Sequence, residues 1–232
     1  MIAWVLGVPI SRLSVDSTLG CLTGWVREMT SPCVVNLVNA HSVVEAHRNS
    51  EHMRALRWSH INLADGWPVA RMARAPRIAG ADLMLAVARH PDLGKMRHVL
   101  LGGFGVAYTA AMRQCVDAAG HSPLNLRSPA IPAAAPESSL LEMANGQQCD
   151  ILWVSLGCPK QEIWMHENRD KLKAKVVIGV GAAFDFLAGR VRRAPVWVQR
   201  IGLEWAWRIW ADPQRWRRQI SAVIGFARLL LR

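Results

Sequence analysis

The chain alternates short apolar runs with longer stretches of helical periodicity, and that alternation leaves few folds open to it. Val34 to Val38 reads as a strand and is followed by a helix through Val43, Val44 and Ala46. Ile61 to Ala64 is another strand, closed by Asp65-Gly66. Pro68 then opens a helix at a position that needs no backbone donor. Asp82 begins a helix through Leu83 to Arg89. His98 to Leu101 is a strand, Gly102-Gly103-Phe104-Gly105 a turn, and Val106 to Ala119 a helix. Asp150 to Leu156 is a strand, Gly157-Cys158-Pro159 a turn, and Lys160 to Leu172 a helix; Val176 to Val180 is a final strand. This order predicts the α/β class, with a mostly parallel sheet covered by helices on both faces. Functional groups in such sheets gather in the loops at the carboxyl ends of the strands. Met1 to Val8 reads as a first strand that stops at Pro9; it is short and has no basic lead, unlike a signal peptide. Ser128 to Ser139, rich in Pro, Ala and Ser, reads as a surface loop.

Composition narrows the classes further. A chain of 232 residues can bury a substantial core, and 51% apolar residues argues against disorder. No apolar run reaches the ~18 residues needed to span a bilayer. The five cysteines are odd in number and their spacing matches no zinc pattern, so neither a disulfide nor a metal is assigned. Without export they are expected to be reduced.

The net charge of +11 is concentrated at one end. From Arg190 to Arg232 ten arginines face two acids, Glu204 and Asp212. An anionic partner is implied for this segment: nucleic acid, an acidic membrane surface or a diphosphate. One helix is expected over Val196 to Trp210, and Asp212-Pro213 reads as the start of the next. In that last helix Trp216, Ile220, Val223, Ile224, Ala227, Leu230 and Leu231 form one apolar stripe. Arg217, Arg218, Gln219, Ser221, Arg228 and Arg232 fall on the other face. The reading divides the chain into an α/β core, residues 1–193, and a C-terminal amphipathic helical appendage, residues 194–232.

Three places can carry chemistry. Gly103-Phe104-Gly105 sits between a strand and a helix, where a phosphate-binding turn would. The third small residue of a dinucleotide fingerprint is replaced by Tyr108, and Pro123 to Arg127 holds no acid for a ribose, which disfavours a nicotinamide enzyme. A plain strand–helix turn suits these glycines equally well. Asp65, at the end of an apolar run, is either a general base or the N-cap of the helix opened by Pro68; the residues alone favour the cap. Lys160 and Gln161 can meet diphosphate oxygens or a base edge. They also suit an ordinary polar first turn in which Glu162 complements the helix dipole.

Taken in order, these segments resemble the WecG/TagA/CpsF glycosyltransferase family. The resemblance rests on Val38-Asn39-Ala40-His41-Ser42, Asn62-Leu63-Ala64-Asp65-Gly66, Arg77 to Leu83, and Leu101-Gly102-Gly103. It continues through Gly157-Cys158-Pro159-Lys160-Gln161-Glu162, Gly179 to Gly189, Arg192-Arg193-Ala194-Pro195 and Gly202 to Arg218. It covers nearly the whole chain, and the ordered set is specific where each block alone is weak. The resemblance implies a Rossmann-like core with a membrane-touching appendage closing over the site. It implies an inverting, metal-independent transferase with no cofactor, moving a hexose or N-acetylhexosamine-type sugar from a UDP-sugar to a sugar on a polyprenyl diphosphate. Its expected place is the cytoplasm, peripheral on the inner face of the plasma membrane, with no nucleic-acid partner.

Carried over by residue, Asp65 matches the proposed base. Arg77 and Gln161 match pocket residues thought to contact donor or acceptor, Asn39 matches the polar position after the early strand, and Arg208, Arg215 and Arg218 match appendage arginines suggested to bind diphosphate; Gly102, Gly103 and Lys160 are also expected to bind substrate. Many members have Thr two residues before the position of Asn39. Here that residue is Leu37, with Asn36 beside it as a possible substitute. The competing reading is a non-catalytic protein that binds acidic lipid or nucleic acid through its basic tail.

Overall fold

The computed structural model describes residues 1–102, 106–119, 125–127, 137–146, 148–191, 194–195, 197–198, 207 and 216–231. The chain opens with two strands rather than one, β1 (Ile2–Val5) and β2 (Val8–Ser11), paired antiparallel. The single strand expected over Met1 to Val8 is broken because Leu6 and Gly7 both take positive φ, 48° and 76°, and fold the run back on itself. Two such residues in succession match the right-handed twist of a tight hairpin. Next come α1 (Val15–Glu28), β3 (Cys33–Val38), α2 (Ala40–Arg48), α3 (Ser50–Trp58) and β4 (Ile61–Ala64). Then follow α4 (Trp67–Ala73), α5 (Gly80–Arg89), β5 (Arg97–Gly102), α6 (Val106–Ala119) and β6 (Asn125–Arg127). The described elements end with α7 (Glu137–Asn145), β7 (Ile151–Ser155), α8 (Lys160–Glu167), β8 (Val176–Gly179), α9 (Ala183–Leu187) and α10 (Trp216–Leu230).

The large sheet has the order β4-β3-β8-β7-β5-β6, and every pairing in it is parallel. The expected α/β class is therefore present. β3 lies at its centre-left and is buried along its whole length. Its side chains alternate between two cores, as a strand's must. Val35 and Leu37 face a core shared with Leu22 of α1, Leu83 of α5 and Phe184 of α9. Val34 joins Trp164 and Met165 of α8 on the opposite face, and Val38 joins the hairpin, α2 and α4. The helix expected to run from Lys160 to Leu172 stops at Glu167, where Asn168 turns and donates to the Trp164 carbonyl. α5 starts at Gly80, two residues before the expected Asp82. The rest of the helix expected over Val196 to Trp210, and Asp212-Pro213, lie outside the described residues. The loop expected over Ser128 to Ser139 is also outside them up to residue 136; from Glu137 the chain is helical.

α10 is amphipathic as expected, but it has a second apolar face. Ala222 and Phe226 are buried, and Phe226 and Leu229 pack with Val43 and Val44 of α2. Gly225 lets the two helices close, since a Cβ there would come within 2.8 Å of Val44 Cγ1. The stripe read from the sequence points largely the other way: Ile224, Leu230 and Leu231 are exposed. Among the described residues no helix is long and apolar enough to cross a membrane.

Candidate active site

The carboxyl ends of β4, β3, β8, β7 and β5 come to one edge of the sheet, and the loops there carry the polar residues singled out above. Asp65 follows β4 directly, and its N–H donates to the Val38 carbonyl at 2.9 Å, continuing the ladder one residue beyond the strands. Asp65 is not the N-cap residue of α4. The N-cap of α4 is Gly66, and that helix has no side-chain cap hydrogen bond. The carboxylate is turned instead toward Asn39, whose Nδ2 donates to Asp65 Oδ2 at a long 3.5 Å.

Asn39 has its own geometry fixed by the start of α2. It is the N-cap, its Oδ1 accepts from the Ser42 N–H at 3.2 Å, and Ser42 answers in a capping box. With Oδ1 committed to the cap, the amide must present Nδ2 to Asp65. A Cβ at Gly66 would lie 3.3 Å from Asn39 Cβ, so a glycine there keeps the two loops in contact. Arg77 joins the same corner through its backbone, in a parallel bridge with Ala64, and the next N–H, Ile78, donates to the Ala64 carbonyl at 2.8 Å. Asp65, Asn39 and Arg77 thus stand on three adjoining loops.

Gln161 and Lys160 start α8, and they differ sharply. Lys160 is exposed, whereas Gln161 is buried at 2% exposure. Gln161 Oε1 accepts from the Gly181 N–H at 3.0 Å, and its Nε2 donates to Glu162 Oε1 at 2.8 Å. Its amide therefore ties the β8–α9 loop to α8. Ser155 Oγ, at the end of β7, donates to the carbonyl of the same Gly181. Gly102 ends β5 with φ of +98°, and a Cβ there would run into the Ser155 carbonyl. Gly103, Arg208 and Arg215 lie outside the described residues, and so does the side chain of Arg218. Leu37 is a core residue at 4% exposure, and the Asn36 amide donates to Asn62 Oδ1 at 3.1 Å and to Ser59 Oγ.

Sequence reading missed a buried polar group behind Gln161. Glu162, which the ordinary first-turn reading gives only as a complement to the helix dipole, is 2% exposed. Its Oε2 faces His52 Nε2 of α3 at 3.7 Å, and Cys158 Sγ lies 3.9 Å from the same nitrogen. Burial pushes the His52 imidazole down to about 4, so it is neutral at ordinary pH. These three are the residues, among those described, whose ligating atoms gather closely enough to hold a metal ion. His52 and Cys158 stand 106 positions apart, and only the packing of α3 on α8 reveals the cluster.

Residues 3–232 match the family model described as glycosyl transferase WecG/TagA/CpsF family. One similar protein is the N-acetylglucosaminyldiphosphoundecaprenol N-acetyl-beta-D-mannosaminyltransferase of Bacillus subtilis (strain 168), 30% identical over 200 residues, covering 81% of this chain and 75% of that protein. Another is the protein of the same name from Bacillus spizizenii (strain ATCC 23059 / NRRL B-14472 / W23), 27% identical over 230 residues, covering 92% and 86%. The parallel sheet, the loops at its carboxyl edge and a family match over nearly the whole length agree, and the chain belongs to the WecG/TagA/CpsF family of glycosyl transferases.

Proposed function

We propose that the chain transfers a sugar from a UDP-sugar to the hydroxyl of a sugar carried on a polyprenyl diphosphate, with inversion and without a metal in the transfer. The observation that supports this reading is the place of Asp65: a carboxylate at the carboxyl edge of the sheet, directly after β4 and beside Asn39. In the step proposed, Asp65 takes the proton of the acceptor hydroxyl as its oxygen attacks the anomeric carbon. The bond from that carbon to the diphosphate oxygen breaks, and UDP leaves with the electron pair. Arg208, Arg215 and Arg218 are assigned to the leaving diphosphate, for which planar guanidinium groups are suited. Gln161 acts by holding the Gly181 loop on the donor side, to which Lys160 and the Gly102-Gly103 turn are also assigned, and Arg77 is assigned to contact donor or acceptor. The relatives' names support a lipid-diphosphate sugar as acceptor and a β-linked product, which from an α-linked nucleotide sugar is an inversion.

A lipid-linked acceptor implies work at a membrane surface, and α10 supports that reading. One of its faces is seated on α2, while Ile224, Leu230 and Leu231 stay exposed beside the exposed Arg228. An apolar stripe flanked by arginine suits a helix lying in the interface of an anionic bilayer. Residues 194–232 then act as the membrane-facing appendage of the 1–193 core. The test is transfer itself: UDP-sugars are screened against a short-chain prenyl-diphosphate sugar, and the product's anomeric configuration is read by NMR. A β-linked disaccharide formed in the presence of chelator is expected. A protein that binds vesicles but transfers no sugar from any UDP donor would support the binding-only alternative.

A further inference from the structure

We propose that His52, Cys158 and Glu162 form a binding site for a divalent transition-metal ion of the zinc class, set behind the donor-side wall of the active site. The three donors come from separate elements: α3, the turn after β7, and α8. His52 is fully buried and Glu162 nearly so, and Cys158 is half-buried, which leaves an entry from its side. Their ligating atoms all lie within 4.8 Å of one another.

The three groups approach one another without a good hydrogen bond between His52 Nε2 and either neighbour. The 3.7 Å between His52 Nε2 and Glu162 Oε2 is too long for a hydrogen bond, and a thiol at 3.9 Å is a weak donor. Two atoms bound to one zinc ion, at bond lengths of about 2.0–2.3 Å, lie roughly 3–4 Å apart. The observed separations are of that order, and small side-chain shifts complete the triangle.

The donor set agrees with the geometry. Imidazole, thiolate and carboxylate together suit Zn²⁺ and Co²⁺ and do not suit Mg²⁺ or Ca²⁺. On binding, the Cys158 thiol gives its proton to solvent and the sulfur bonds the ion, so thiolate and carboxylate balance the two positive charges. Three protein ligands leave a fourth position for water on the Cys158 side. Glu162 adjoins Gln161, whose amide holds Gly181, so the ion braces α3 against α8 and the loop they support. This role is structural, touches no reacting atom, and stands whether or not the proposed donor and acceptor are right.

The test uses the full-length, tag-free protein, reduced, stripped with chelator and titrated with Co²⁺. One equivalent is expected to bind with a thiolate-to-cobalt charge-transfer band in the near ultraviolet, to be displaced by Zn²⁺, and to raise the Tm. Cys158→Ser should abolish the band, His52→Gln should weaken binding by at least about tenfold, and Cys21→Ser should change neither. Circular dichroism of each metal-free variant checks its fold; should His52→Gln fail to fold, Cys158→Ser alone decides. Absence of stoichiometric binding overturns the proposal, and so does a band that survives Cys158→Ser or disappears in Cys21→Ser.

Discussion

At the scale of single residues, the turn of the backbone and the packing of distant helices decide what each polar side chain meets. Asp65 could be seen at the end of an apolar run, but capping depends on where the backbone turns. The extended residue before α4 is Gly66, so the cap position falls one residue later and the carboxylate is released toward Asn39. Gln161 and Glu162 looked like an ordinary polar first turn because nothing local shows that α3 covers them. Gln161 now has a specific expectation. Removing its amide leaves the Gly181 N–H without its acceptor, so Gln161→Ala should cost about 1–3 kcal/mol in urea unfolding. It should also weaken UDP-sugar binding by calorimetry. Lys160→Ala, at an exposed position one residue earlier, should stay within about 0.5 kcal/mol of the parent in stability. Equal stability of the two variants would contradict a positioning role for Gln161.

At the scale of elements, periodicity located most of the strands of the large sheet and missed what depends on long-range packing. β6 is a three-residue strand of Asn, Leu and Arg, too short to show alternation, and the hairpin is hidden inside one apolar run. α10 shows the same limit more usefully. Its sequence holds two apolar stripes, and hydropathy does not say which one the core takes. The core takes Ala222, Phe226 and Leu229, because Gly225 permits close approach to α2. The two faces should therefore separate by mutation. Phe226→Ala should lose about 3–5 kcal/mol of stability, as large buried aromatics do. The double variant Ile224→Gln, Leu231→Gln should keep the parent Tm yet sediment far less with anionic vesicles. If the double variant lost stability and kept vesicle binding, the assignment of faces would be reversed.

At the scale of the whole molecule, stability should depend on pH through a group remote from the loops of the active site. His98 is buried in β5 with both ring nitrogens used. Nε2–H donates to the Leu93 carbonyl at 2.9 Å, and Nδ1 accepts from Trp153 Nε1 at 3.1 Å. That pairing requires the neutral ring, and burial pushes its pKa from 6.5 down to about 4, against the opposing effects of the Leu93 hydrogen bond and nearby Asp150. Between those two values the unfolded chain binds a proton that the folded chain refuses, so stability is full above pH 6.5 and falls as the pH drops toward 4. Asp150, held below the usual carboxylate range by its Arg97 hydrogen bonds, adds a loss in the same direction at lower pH, below its unfolded value of 3.8. Urea unfolding at stepped pH should show the fall between 6.5 and 4, and His98→Gln should reduce it, leaving the part contributed by His52, whose pKa is lowered over the same range. None of this touches the transfer step, whose most direct test is a single substitution. Asp65→Asn keeps the side chain's shape and its contact with Asn39 but removes its basicity. Turnover on a prenyl-diphosphate sugar should fall by about 10²–10⁴-fold while UDP-sugar affinity and Tm stay at parent values. Near-parent turnover in that folded variant would contradict Asp65 as the base.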